Sequence, residues 1–124
     1  MVNGRGSVLV VDDDAAVREG LLEFLRDEGY EALGAENGRR ALDLLEGGEA
    51  PRLILLDLRM PVMDGWQFLA ERARRAYPMP VVLLSGLSFI NDAPGVADFL
   101  CKPVNFEKLR DCLDRFCGRP APAV

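Results

Sequence analysis

The sequence contains no histidine. That absence excludes histidine-based catalytic triads, histidine general bases, histidine-ligated zinc and any role as a phosphohistidine donor. Cysteine is sparse, with Cys101, Cys112 and Cys117 one short of a four-thiolate zinc site. Their odd number and unpaired spacing do not suit a secreted disulfide framework. They are expected as reduced, mostly buried thiols of a cytoplasmic protein. No apolar run approaches the roughly 18 residues of a membrane span. The first run, Val8-Leu9-Val10-Val11, ends in three aspartates and does not read as an export signal. Met1-Val2 lacks the glycine that myristoylation requires. Positive charge is also short. Fifteen Lys and Arg face 20 Asp and Glu, a net charge of −5, so no basic field is available to hold nucleic acid or an anionic membrane.

The chain does have enough apolar material for a core. It is 124 residues long and 49% hydrophobic, with a mean hydropathy of +0.04. That is the size of one domain. Short uninterrupted apolar runs recur at Val8–Val11, Leu53–Leu56 and Val81–Leu84. Four residues are too few for a helix, and the lack of alternation implies burial on both faces. Strands buried on both faces belong to a parallel sheet covered by helices. Tyr30–Ala35 suits an edge strand, and Phe99-Leu100-Cys101 a short last strand.

Helical patterns lie between the runs. Val17, Leu21, Phe24 and Leu25 form one face, with Asp14 as the expected N-cap and Gly29 as the stop. Ala41, Leu42 and Leu45 follow Asn37 and end at Gly47-Gly48. Asp64 is expected to cap a helix carrying Trp66, Leu69 and Ala73. Asn105 is expected to cap the last, with Phe106, Leu109, Leu113 and Phe116 on one side and Gly118 at its end. Arg72, Arg74 and Arg75 read as a solvated face near a helix C-terminus, where cations suit the helix dipole. The alternation of strand and helix predicts five strands and at least four helices in one α/β domain. Between Leu84 and Phe99 there is room for only about one helical turn, near residues 87–92.

The strand ends carry the chemistry. The first strand runs into Asp12-Asp13-Asp14, the third into Asp57, the fourth into Ser85-Gly86 and the fifth into Lys102-Pro103. In a parallel sheet these ends share the carboxyl edge, where open α/β folds bind ligands. Two carboxylates about 5 Å apart repel by about 3 kcal/mol at an effective dielectric near 20. Lys102 offers one positive charge against the three negatives of Asp12, Asp13 and Asp57. Proton uptake, cation binding or splaying into water can relieve the repulsion. An all-oxygen donor set suits Mg²⁺. Taken singly, each residue has an ordinary explanation as a helix cap, turn or surface lysine. Their convergence favours a site.

The residues now in view resemble the response-regulator receiver domain of two-component signalling. The resemblance rests on Val10-Val11-Asp12-Asp13 and on Ile54-Leu55-Leu56-Asp57-Leu58-Arg59-Met60-Pro61-Val62-Met63-Asp64-Gly65. Leu84-Ser85-Gly86 and the stretch Gly95 to Pro103 complete it. It implies a doubly wound, flavodoxin-like α/β fold with a five-stranded parallel sheet in the order 2-1-3-4-5 and helices on both faces. The expected domain spans residues 7–117, with flexible termini at 1–6 and 118–124.

The resemblance further implies that Asp57 accepts a phosphoryl group from the phosphohistidine of a sensor histidine kinase or phosphotransfer protein. Asp13 would ligate Mg²⁺ (or Mn²⁺) directly, Asp12 mainly through water, and Asp57 and the Arg59 backbone carbonyl would complete the protein's share. Lys102 would neutralise phosphoryl oxygens. Ser85 would hydrogen-bond one after transfer and act with Phe99 as a switch. Lys102-Pro103 often has a cis peptide in this family. Such a domain catalyses only its own phosphorylation and dephosphorylation, so it is not expected to be an enzyme in the usual sense. It would act in the cytoplasm on a downstream protein target, with a homodimer possible and no direct contact with nucleic acid or membrane.

Three departures stand out. Ser85 replaces a commoner threonine, and Phe99 a frequent tyrosine. Ser85 and Lys102 are only 17 residues apart, which predicts a truncated or missing fourth helix. Leu87, Phe89 and Ile90 then either plug the gap or present an apolar patch. The shortened segment motivates an alternative, a phosphorylation-independent protein-interaction module with a receiver fold. An aspartyl-phosphate phosphatase fits less well, because Arg59 stands where such enzymes place a second acid. The chain ends soon after the last helical pattern and is expected to carry no output domain, as a stand-alone receiver or a piece of a larger protein.

Overall fold

The computed structural model describes residues 5–86 and 95–118. Five strands, β1 (Ser7–Val11), β2 (Glu31–Ala35), β3 (Leu53–Asp57), β4 (Val81–Ser85) and β5 (Asp98–Cys101), form one sheet. All four pairings are parallel and the order is β2-β1-β3-β4-β5. The helices are α1 (Ala15–Asp27), α2 (Gly38–Glu46), α3 (Gly65–Arg74) and α4 (Phe106–Cys117). The expected shortened helix near residues 87–92, with Leu87, Phe89 and Ile90, lies outside the described residues, as do residues 1–4 and 119–124.

The sheet is buried on both sides because its central strands are apolar at every position. Val8, Val10, Leu53, Leu55, Val82 and Leu84 point to one face, against Leu21, Leu22 and Leu25 of α1 and Leu109, Cys112 and Leu113 of α4. Leu9, Val11, Ile54, Leu56, Val81 and Leu83 point to the other, against Ala41, Leu42 and Leu45 of α2 and Phe68 and Leu69 of α3. Period-two alternation thus divides each strand between two cores.

Side chains fix where the helices begin. Asp14 accepts hydrogen bonds from the Ala16 and Val17 N–H groups, and Asn37 from Arg40 N–H. Asn105 accepts from Glu107 and Lys108. Asp64 and Gln67 form a reciprocal capping box. After α1 the chain turns at Gly29, where φ is +94°.

Several expectations need correction. The inward face of α3 is Gly65, Phe68 and Leu69, whereas Trp66 and Ala73 are exposed. Gly65 sits against Leu58, which turns that face to the sheet and carries Trp66 about 100° away around the helix. On α4, Cys112 and Cys117 fill the core. Phe106 instead stacks on Phe24, with ring centroids 4.5 Å apart. Arg74 is exposed as expected, but Arg72 and Arg75 are not simply solvated. Arg72 donates two hydrogen bonds to the Met79 carbonyl, and Arg75 bridges Glu46 and Glu71. Cys112 and Cys117 are buried and Cys101 is exposed, all three as free thiols. Arg5 and Gly6, outside the expected boundary, also pack on the domain. Arg5 lies over the Tyr30 ring and donates to Glu28 O, and Gly6 O accepts from Glu31 N–H.

Candidate functional site

Parallel pairing brings the strand ends together. Val11 pairs with Leu56, so Asp12 follows β1 beside Asp57, the last residue of β3. Asp57 pairs with Leu84, Ser85 with Cys101, and Lys102 N–H donates to Ser85 O at 2.8 Å. Asp12, Asp13, Asp57, Ser85 and Lys102 consequently line one open pocket of about 820 Å³ at the carboxyl edge. Arg59 lines it too, on the loop after β3. Phe99 does not. It is half-buried on β5, packed against the core that β3, β4 and α3 share.

Asp12 is fully buried and has both oxygens engaged. Oδ1 accepts from Asp14 N–H at 2.9 Å and Oδ2 from Lys102 Nζ at 2.8 Å. Arg18 holds the same turn by donating to the Asp12 carbonyl. Asp57 is nearly buried, with Oδ1 3.4 Å from Lys102 Nζ. Asp13 is exposed.

One carboxylate oxygen from each of Asp12, Asp13 and Asp57 lies within 4.8 Å of the others. Burial raises the Asp57 carboxyl above the usual aspartate value. Lys102 opposes that shift, and the charges of Asp12 and Asp13 add to it. For Lys102, burial alone would lower the ammonium, but its hydrogen bond and attraction to Asp12, joined by Asp57, leave it raised. The site therefore holds excess negative charge around a carboxylate that is poorly hydrated. An all-oxygen cluster of this kind fits a hard divalent cation such as Mg²⁺ or Mn²⁺.

The pattern of a response-regulator receiver domain matches residues 8–114. The chain belongs to the response-regulator receiver family. It is 38% identical to the transcriptional regulatory protein GlrR of Escherichia coli over 94% of this chain and 27% of GlrR. It is 35% identical to the response regulator MprA of Mycolicibacterium vanbaalenii over 93% of this chain and 52% of MprA. The chain thus spans about a quarter to a half of these curated relatives. A CheY-like receiver domain from Methanospirillum hungatei superposes with a TM-score of 0.80 at 32% identity, covering 92% of this chain and 95% of that one. The receiver domain of sensor histidine kinase PA1611 from Pseudomonas aeruginosa, solved with magnesium coordinated in its active-site cleft, gives 0.80 at 28% identity, covering 91% and 98%.

Asp64 and Trp66, expected only as a helix cap and a residue of the helix it starts, also line this receiver's pocket. The signal was available. Asp64-Gly65 follows the end of β3 closely, and Gln67 three residues after Asp64 is a capping-box partner, so the first turn of α3 had to start beside Asp57. No described helix is long and apolar enough to cross a membrane.

Proposed function

We propose that this receiver takes a phosphoryl group onto Asp57 from the phosphohistidine of a sensor histidine kinase or phosphotransfer protein, and that the modified domain changes its binding to a downstream protein. The observation that carries this reading is the placement of Asp57 within 4.8 Å of two more carboxylates while Lys102 reaches both Asp12 and Asp57. Lys102 beside Asp57, together with a cation held by the three carboxylates, would offset the negative charge of an incoming phosphoryl group.

Asp57 is the nucleophile and forms an acyl phosphate. Asp13, Asp12, Asp57 and the Arg59 carbonyl would hold a divalent cation, which when bound supplies positive charge to phosphoryl oxygens. Lys102 contributes a second positive charge, held in place by Asp12. Charge neutralisation of this sort is the main protein contribution to phosphoryl transfer. Ser85, buried at the end of β4, offers a hydroxyl to a phosphoryl oxygen, and Phe99 lies on the neighbouring strand as the companion switch residue. The chain acts on itself and turns over no separate substrate, and its setting is the cytoplasm.

The test is incubation with acetyl phosphate, with and without Mg²⁺, followed by intact-mass measurement of wild type and Asp57→Asn. A single phosphoryl adduct that needs both Mg²⁺ and Asp57 is expected. Lack of an adduct on the wild type, alongside a working receiver as control, would reject the proposal in favour of a phosphorylation-independent interaction module.

A further inference from the structure

Trp66 is the chain's single tryptophan, and the fold does not use it as core. It is 46% exposed, joins neither apolar cluster among the described residues, and forms part of the wall of the pocket that holds Asp57 and Lys102. Its place is fixed from beneath. The capping box of Asp64 and Gln67 starts α3, and Gly65 N–H donates to Leu58 O at 2.9 Å. A Cβ on Gly65 would lie 2.7 Å from Asp57 O and 2.8 Å from Leu58 Cα. The first turn of α3 is therefore seated directly on the end of β3, and Trp66, the next residue, lines the pocket that also holds Asp57.

A rigid aromatic ring, half in solvent at the mouth of a polar pocket, suits recognition of another planar ring arriving from solution. We propose that Trp66 selects phosphodonors whose leaving group is an imidazole, by packing against that ring while Asp57 takes the phosphoryl group. The inference rests on the phosphoacceptor reading given above. Because the chain has no histidine, the ring comes from another molecule. During transfer an Asp57 oxygen bonds to phosphorus as the phosphorus–nitrogen bond breaks. The electron pair stays on the imidazole nitrogen, which takes a proton from solvent. The acetate that leaves acetyl phosphate has no ring face for Trp66 to cover.

The test compares wild type, Trp66→Phe and Trp66→Ala with phosphoimidazole and with acetyl phosphate, at one Mg²⁺ concentration, following the adduct by intact mass. The readout is the ratio of the two labelling rates, which a merely structural role does not move. In Trp66→Ala the ratio of imidazole donor to acetyl phosphate falls about five-fold, the scale of one aromatic pair. Trp66→Phe keeps the ratio within about two-fold, since it keeps a ring. If Trp66→Ala fails to fold, Trp66→Leu replaces it and loses the ratio to the same extent. An unchanged ratio in a folded ringless variant overturns the inference, even if both rates fall together. Failure of the wild type to label with either donor overturns the phosphoacceptor reading itself, and this inference with it.

Discussion

Lys102 Nζ lies 2.8 Å from Asp12 Oδ2, joining residues 90 positions apart in the sequence across the carboxyl edge of the sheet. Asp12 is fully buried, and its other oxygen is taken by Asp14 N–H. Removing the ammonium strands a buried charge. Lys102→Met is expected to lower unfolding free energy by about 2–3 kcal/mol at pH 7. The raised lysine value means this pair is fully formed below the unfolded lysine pKa and is lost only as pH rises through the folded one. Urea denaturation at pH 7 checks the figure, and a loss below about 0.5 kcal/mol, the level of an exposed pair, would contradict it.

Asp57 has the opposite effect on stability. Its carboxyl is raised chiefly by burial, so the folded state binds the proton more tightly than the unfolded chain. Wild-type stability should therefore fall as pH rises from the ordinary aspartate value, about 3.9, through the raised folded value. Asp57→Asn lacks that loss. In EDTA it is expected to melt at a higher temperature than the wild type at pH 7, with the gap closing as pH falls towards 4. A variant less stable than the wild type at pH 7 would contradict the electrostatic account. Mg²⁺ should reverse the order, because saturation at about 100 times Kd adds about 2.7 kcal/mol to a protein that binds it.

The strands were legible because Val8–Val11, Leu53–Leu56 and Val81–Leu84 are apolar at every position, which only a doubly covered sheet explains. The strand ends then determined which polar groups meet, so Asp12, Asp13, Asp57, Ser85 and Lys102 could be brought together from the sequence. The face of α3 was not legible. Trp66, Leu69 and Ala73 also repeat at helical spacing, and only the seat of Gly65 on Leu58 decides that Phe68 faces the core instead. The role of Arg72 is not legible in the sequence for a similar reason. Its partner is a backbone carbonyl, Met79 O, and carbonyls have no signature in a sequence.

That seat gives its own prediction. Gly65→Ala places a methyl group 2.7 Å from Asp57 O and 2.8 Å from Leu58 Cα. Neither backbone atom can move without shifting the end of β3. A cost of about 1–3 kcal/mol is expected, the usual range for overpacking. Labelling by acetyl phosphate and phosphoimidazole should slow together, unlike the selective effect expected at Trp66. Parallel thermal melts and labelling rates check both parts.

Val62 stands in the left-handed region, with φ of +68°, and is 79% exposed. A left-handed conformation costs an L-residue roughly 1–2 kcal/mol, and a β-branched side chain has no local hydrogen bond to offset it. Glycine removes that strain but returns roughly 0.5–1 kcal/mol through its greater freedom in the unfolded chain. Val62→Gly is expected to be more stable than the wild type by about 0.5–1 kcal/mol, measured by urea denaturation. A loss of stability would show that the Val62 side chain makes a compensating contact.

The most direct test locates the modified atom. An acyl phosphate is reduced by borohydride, which converts its aspartate to homoserine. After treatment with phosphodonor and Mg²⁺, peptide mass mapping should find homoserine at position 57 and nowhere else, and none when EDTA replaces the metal. Homoserine at another aspartate, or none under any condition, would contradict the assignment of Asp57 as the phosphoryl acceptor.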